Sequence, residues 1–239
     1  AGFATVPEPK LAHSLHAYFM RQGDPVAPIE YRVQILRDGR GTSTRAIGAW
    51  QNDAEVFHMI ASYKLAEVGD EHQPEPSAVT SATDLRAARE ARGEPSPPLP
   101  PTQNGWVEIE LAGPSFFEFI PDRDMTIPLW MRVPGGDALT ERQRQIVLAF
   151  LCDGPLMFNS ILPYGAPMQT HWATSIDHSA WFHRLVDPSQ WMLFDQRSTA
   201  AADGRGMNSG EIYGAAGELI MTCAQESVLR RLPPESGSS

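Results

Sequence analysis

The chain has 239 residues, 42% hydrophobic and 20% charged, enough for one or two globular units with a core. Its formal charge of −10 and isoelectric point near 5.1 leave no basic footprint for a phosphate backbone, so nucleic acid is not an expected partner. No apolar run approaches the roughly 20 residues of a membrane span. The opening AGFATVPEPK lacks the order of a signal peptide, and the two cysteines, Cys152 and Cys223, have no CxxC spacing. A cytoplasmic protein without structural zinc is expected.

Four strand-length runs open the chain: AHSLHAYFM, IEYRVQIL, TSTRAIGAWQ and EVFHMIASYKL. They are rich in β-branched and aromatic residues, and Asp-Gly or Asn-Asp turns separate them, so antiparallel β structure is predicted. Residues 72–104 are rich in Pro, Ser, Ala and charge. They read as a linker with one short helix, ATDLRAAREA, after a cap at Ser81 or Thr83. The linker divides the chain into a front unit, 1–71, and a back unit, 105–239. The back unit begins with a strand pair, WVEIEL and FFEFI. A helix follows, with Thr140 as N-cap, apolar residues at helical spacing from Arg142 to Leu151, and Gly154-Pro155 as breaker just after Asp153.

The two units resemble each other. Ala17-Tyr18-Phe19-Met20-Arg21 followed by Asp24-Pro25 has the form of Ala180-Trp181-Phe182-His183-Arg184 followed by Asp187-Pro188, 163 residues on. Asp38-Gly39-Arg40-Gly41 recurs as Asp203-Gly204-Arg205-Gly206, and EVFHMIAS (55–62) lies on ELIMTCAQ (218–225). Three matches in one order point to a duplication. The front unit has no room for a counterpart of the helix after Thr140. Because the chain starts with Ala and its first Met is Met20, an N-terminus lacking the first strand and most of a first helix is expected.

IDHSAWFHR (176–184) raises the question of a metal or acid–base cluster. In an uninterrupted strand Ser175, Asp177, Ser179, Trp181 and His183 share one face, while Thr174, Ile176, His178 and Phe182 share the other. Asp177 and His183 are then about 20 Å apart at roughly 3.3 Å per residue, and His178 and His183 point opposite ways, so a metal pair fails. The front copy keeps the aromatics but has Ser14 for Asp177 and Leu15 for His178. Chemistry is therefore expected where the copies differ: Ser175 answers to Ala12, Gln225 to Ser62, and Asp153 to nothing. Cys152 has no identifiable His partner and reads as a buried structural thiol.

Together, HSLHAYFMRQGDPVAPIEYRVQILRDGR, QNDAEVFHMIASYK, EHQPEPS, IDHSAWFHR, STAAADGRG and AQESVLR resemble the type II acyl-CoA thioesterases, from about Val6 to Arg230. The resemblance implies an α+β double hotdog: two tandem curved antiparallel sheets, each wrapped on a central helix, the first helix here largely missing. It implies hydrolysis of acyl-CoA to fatty acid and CoA by activated water, with no cofactor, metal or covalent intermediate. The family's Asp, Thr or Ser, and Gln fall on Asp153, Ser175 and Gln225, two of which are also positions where the repeat loses symmetry. Burial of Asp153 among Phe150, Leu151 and Leu156 is expected. Arg184, Arg197 and Arg205 are candidates for the CoA phosphates, because an anionic ligand needs a cationic patch on so acidic a chain. Acyl-CoA is the expected partner, together with further copies of the chain in a homo-oligomer. The alternatives are a non-catalytic acyl-CoA binder and a hotdog dehydratase or hydratase; the latter pairs His with a helix carboxylate, and no His lies in 138–160.

Overall fold

The computed structural model describes residues 1–97, 105–115, 118–121 and 125–233. The four front runs form β1 (Leu11–Phe19), β2 (Glu30–Asp38), β3 (Thr42–Gln51) and β4 (Ala54–Lys64). The linker helix α1 (Ala82–Ala91) starts at Ser81, whose side chain accepts from the Asp84 N–H. The back unit contains β5 (Glu108–Leu111), β6 (Leu129–Arg132), α2 (Glu141–Leu151), β7 (His171–Ser175), β8 (Asp177–Phe182), β9 (Met192–Ala202), β10 (Arg205–Tyr213) and β11 (Leu219–Arg231). Thr140 and Gln143 close a capping box on α2, which satisfies backbone donors at its start.

The strands form one antiparallel sheet in the order β2-β3-β4-β1-β8-β11-β10-β9-β6-β5, with β7 also paired to β11. Asn52 and Asp53, and again Asp203 and Gly204, take the positive φ that two-residue hairpin turns need. The units join where β1 pairs with β8, Ala17 opposite His178.

The repeat extends to the irregularities of the sheet. One extra residue enters at His13 and again at Ile176, at Leu36 and again at Thr199, and at Val56 and again at Ile220. The first two pairs lie 163 residues apart and the third 164, so the last strand of the back unit is displaced by one position.

The expected pairing of WVEIEL with FFEFI is corrected. Phe116 and Phe117 lie outside the described residues, and Glu118–Ile120 form no strand. β5 pairs instead with β6, which bridges it to β9. The run PLWMRVP carried the signal: Pro128 and Pro134 bound five residues, of which Leu129 and Met131 are fully buried.

The main core lies between α2 and the curved back sheet, where Leu148 and Leu151 meet Leu129, Phe194, Ile212 and Met221. Each such side chain contributes about 1.5–3 kcal/mol by leaving water. In residues 1–71 the only helical segment is a 3-10 turn at Gly2–Thr5, and the front core is small: Val6, Ile47, Ala61 and Tyr63. α2 also serves the front unit. The Gln145 side chain accepts from the Ala12 N–H and donates to the Ala12 carbonyl, while Arg142 donates to the Phe3, Val6 and Lys10 carbonyls. The linker helix is pinned to the back unit by Arg86 and Arg89, both bonded to Glu110, which is only 2% exposed.

Candidate active site

The extra residue at Ile176 decides which side chains can meet. His171 and Ala173 are buried before it, and His178, Ala180 and Phe182 after it, while Trp172, Thr174 and Trp181 face solvent. A bulge shifts the alternation by one, so Ser175 leaves the face of Asp177 and Ser179, where an uninterrupted strand puts it, and joins the inner face with His178. Asp177 secures the irregularity. Its Oδ1 accepts the Glu226 N–H at 2.8 Å, and the Ile176 N–H donates to the Glu226 carbonyl at 2.8 Å.

Asp153 stands two residues past the end of α2, where Gly154-Pro155 ends the helical path. Gln225 Nε2 donates to Asp153 Oδ1 at 2.5 Å, a contact between groups 72 residues apart in sequence. Gln225 is fully buried, and its Oε1 has no partner among the described residues. The expected burial of Asp153 is corrected: Leu151 and Leu156 are buried, but Phe150 is exposed and the Asp153 side chain is 41% exposed. The carboxylate therefore lies at the mouth of the site, with Gln225 behind it. Ser175 sits opposite Ser227, two residues from Gln225 on β11. It makes no hydrogen bond to either Asp153 or Gln225, and such a diagonal neighbour lies roughly 7–8 Å away.

A fourth group belongs here that the sequence reading passed over. His178 is 5% exposed, with Nδ1 3.3 Å from Gln225 Nε2 and 3.8 Å from Asp153 Oδ1. Its Nε2 lies 3.2 Å from Cys152 Sγ, so Cys152 does have a His partner, contrary to expectation. The expectation of a buried thiol stands: Cys152 is fully buried, and burial, the neighbouring Cys223 thiol and the Asp153 charge push its pKa well up. Such a thiol stays protonated and is a poor nucleophile. Burial lowers the His178 pKa against the upward pull of Asp153 and Asp177, so the ring is neutral near pH 7. The exchange of Leu15 for His178 between the repeats was the signal that could have found it. The sheet register also amends the repeat match: Leu15 pairs with Ala61, and His178 faces Gln225, so Gln225 answers to Ala61 rather than Ser62.

The three arginines do not form one patch. Arg184 follows β8 and binds Glu71 at 2.8 Å, Arg197 on β9 binds Glu211 at 3.2 Å, and Arg205 on β10 binds Glu226 at 3.1 Å. Each already has a carboxylate partner, and Glu226, that of Arg205, follows Gln225 on β11 and so points to the opposite face of the sheet. Among the described residues no three His, Cys, Asp or Glu side chains are grouped to hold a metal ion.

Comparison with known proteins gives this arrangement its setting. The family model for the acyl-CoA thioesterase N-terminal domain matches residues 1–64, and that for the C-terminal domain matches residues 64–229. Acyl-CoA thioesterase 2 of Haemophilus influenzae is 30% identical, covering 96% of this chain and 83% of its own. Human acyl-coenzyme A thioesterase 8 is 30% identical over 100% of this chain and 79% of its own. The crystal structure of the acyl-CoA thioesterase II TesB2 from Mycobacterium marinum superposes with a TM-score of 0.80 at 27% identity, covering 99% of this chain and 86% of that one. Two antiparallel units in this sequence order, matched from residue 1 to residue 229 by the two domain models, place the chain in the acyl-CoA thioesterase family, with a double-hotdog fold.

Proposed function

We propose that this chain hydrolyses fatty acyl-CoA to a fatty acid and free CoA with a water activated at Asp153. The observation that carries the reading is the Asp153–Gln225 contact at the mouth of the back unit, with Ser175 turned to the same face by the bulge. Asp153 accepts a proton from the water as its oxygen attacks the thioester carbonyl. Ser175 and Gln225 fix the water's orientation with neutral hydrogen bonds. The tetrahedral intermediate collapses by breaking the C–S bond, and the proton held on Asp153 passes to the departing thiolate. Thiolate is a good leaving group, so the step needs less acid assistance than amide cleavage. No metal enters this scheme, and Cys152 forms no acyl intermediate.

Arg184, Arg197 and Arg205 remain our candidates for the CoA phosphates, each by exchanging its present carboxylate partner. We also propose a homo-oligomer, supported by edge strand β2, which exposes Tyr31, Ile35 and Leu36. Among the described residues no helix is long and apolar enough to cross a membrane. Two free buried thiols suit a reducing compartment such as the cytoplasm.

Release of free thiol from a series of acyl-CoAs of increasing chain length tests the reading. Turnover is expected with at least one length. A folded full chain that binds acyl-CoA without releasing thiol would leave a binding protein.

A further inference from the structure

We propose that His178 is a positioning residue for this hydrolysis: its Nδ1 accepts the second N–H of Gln225, committing the amide nitrogen to Asp153 and leaving Oε1 to receive the hydrolytic water. The inference rests on the reading of Asp153, Ser175 and Gln225 as the hydrolytic set.

The donors and acceptors fix the arrangement. An amide nitrogen carries two hydrogens and accepts none. One hydrogen of Gln225 goes to Asp153 Oδ1, and the other faces His178 Nδ1 at 3.3 Å, which is favourable only when Nδ1 is bare. The ring hydrogen then sits on Nε2, which lies 3.2 Å from Cys152 Sγ. The Cys152 thiol donates in turn to the Ala149 carbonyl at 3.4 Å. A chain of contacts thus runs from the last turn of α2 through His178 to Gln225.

Turning Gln225 over would set Oε1 against the Asp153 carboxylate, a repulsive contact. In the observed orientation Oε1 is buried and has no partner among the described residues, so it is an acceptor in need of a donor. The hydrolytic water supplies one. It donates one hydrogen to Asp153 and the other to Gln225 Oε1, and it accepts from the Ser175 hydroxyl. Its second lone pair is left for the thioester carbon.

The groups around the ring set its pH behaviour. Asp153 and Cys152 face it from the end of α2, Gln225 from β11, Asp177 from its own strand, and β1 presents Ala17. Protonation of Nδ1 would point an N–H at the Gln225 amide nitrogen and break its contact with Asp153. Burial keeps the ring neutral until the pH falls below the ordinary histidine range, so the loss belongs to the acid side.

The repeat supplies the control. Leu15 occupies the matching place in the front unit, two residues past the matching bulge, opposite Ala61. Leucine therefore fits this position of the scaffold, and His178→Leu separates packing from positioning. In His178→Asn the side-chain oxygen can still accept from Gln225.

Both variants of the full chain would be assayed with decanoyl-CoA by thiol release across pH. His178→Leu is expected to lose about tenfold or more in kcat with KM within about twofold. His178→Asn is expected to recover most of that loss and to lack the histidine limb of the wild-type acid profile. Full kcat in His178→Leu, or no recovery in His178→Asn, overturns the proposal. Should His178→Leu fail to fold, an acid limb unchanged in His178→Asn overturns it equally. Full activity in Asp153→Asn would instead remove the hydrolytic set itself, whereas an inactive Asp153→Asn beside a fully active His178→Leu removes only the positioning role.

Discussion

Asp177→Ala tests whether the bulge at Ile176 is held by a side chain. The Asp177 carboxylate accepts the Glu226 N–H at 2.8 Å, and no alanine atom can replace it. Hydrogen bonds to charged groups contribute about 1.5–3 kcal/mol, and partial exposure of Asp177 puts this one at the lower end, about 1.5 kcal/mol. For a chain of this length that is a fall in Tm of roughly 3–6 °C. Ser175 depends on the bulge for its inward face, so kcat should fall about tenfold as its hydroxyl loses its place. Thermal unfolding followed by circular dichroism and thiol-release kinetics read the two effects, and Asp177→Asn, which keeps an acceptor oxygen, should recover most of both. A Tm and kcat in Asp177→Ala equal to those of the wild type would refute the assignment of Asp177 as the clamp.

Other perturbations have defined outcomes. Glu110→Gln should remove an acid-sensitive part of the stability. Burial alone would raise the Glu110 pKa, but hydrogen bonds from Arg89 and Arg86 outweigh it, and the group lies below its ordinary value. A depressed carboxylate contributes stability that is present above about pH 4.3 and lost as pH falls through its folded value. Urea midpoints measured from pH 7 to pH 3 should therefore converge for Glu110→Gln and wild type at the acid end; parallel curves would contradict this. Glu110→Ala at pH 7 leaves the largely buried Arg89 without its carboxylate, while Arg86 keeps Glu108 at 2.8 Å, and should cost about 3 kcal/mol in denaturant titrations. Cys152→Ser, which keeps an oxygen to accept from His178 Nε2, should keep kcat within about threefold, because a fully buried protonated thiol is no nucleophile. A thousandfold loss there would reinstate covalent catalysis.

Much of this fold was legible because the elements obey their periods. β3 falls on TSTRAIGAWQ as written, and α2 begins at the Thr140 cap and ends before Gly154-Pro155. The repeat was visible from its aromatics and turns. What alternation could not show was the bulge, since period two assumes one residue per step and Ile176 is the exception. That single residue moved Ser175 to the inner face, where two candidates of the site had been expected without a geometry to join them. His178 was missed for the same reason: assigned to a face shared with Thr174 and Ile176, it had no visible link to Asp153 or Cys152. The Asp153–Gln225 contact is a tertiary pairing across 72 residues, which residue types suggested only through the family resemblance.

The central claim is that the Asp153 carboxylate takes the proton of the attacking water. Asp153→Asn keeps an oxygen to accept from Gln225 at a partly exposed position, so the fold should be retained while the base is removed. Steady-state thiol release from acyl-CoA should fall by about 10²–10⁴ in kcat, with an unchanged unfolding midpoint. A folded Asp153→Asn chain that turns over at the wild-type rate would contradict the account.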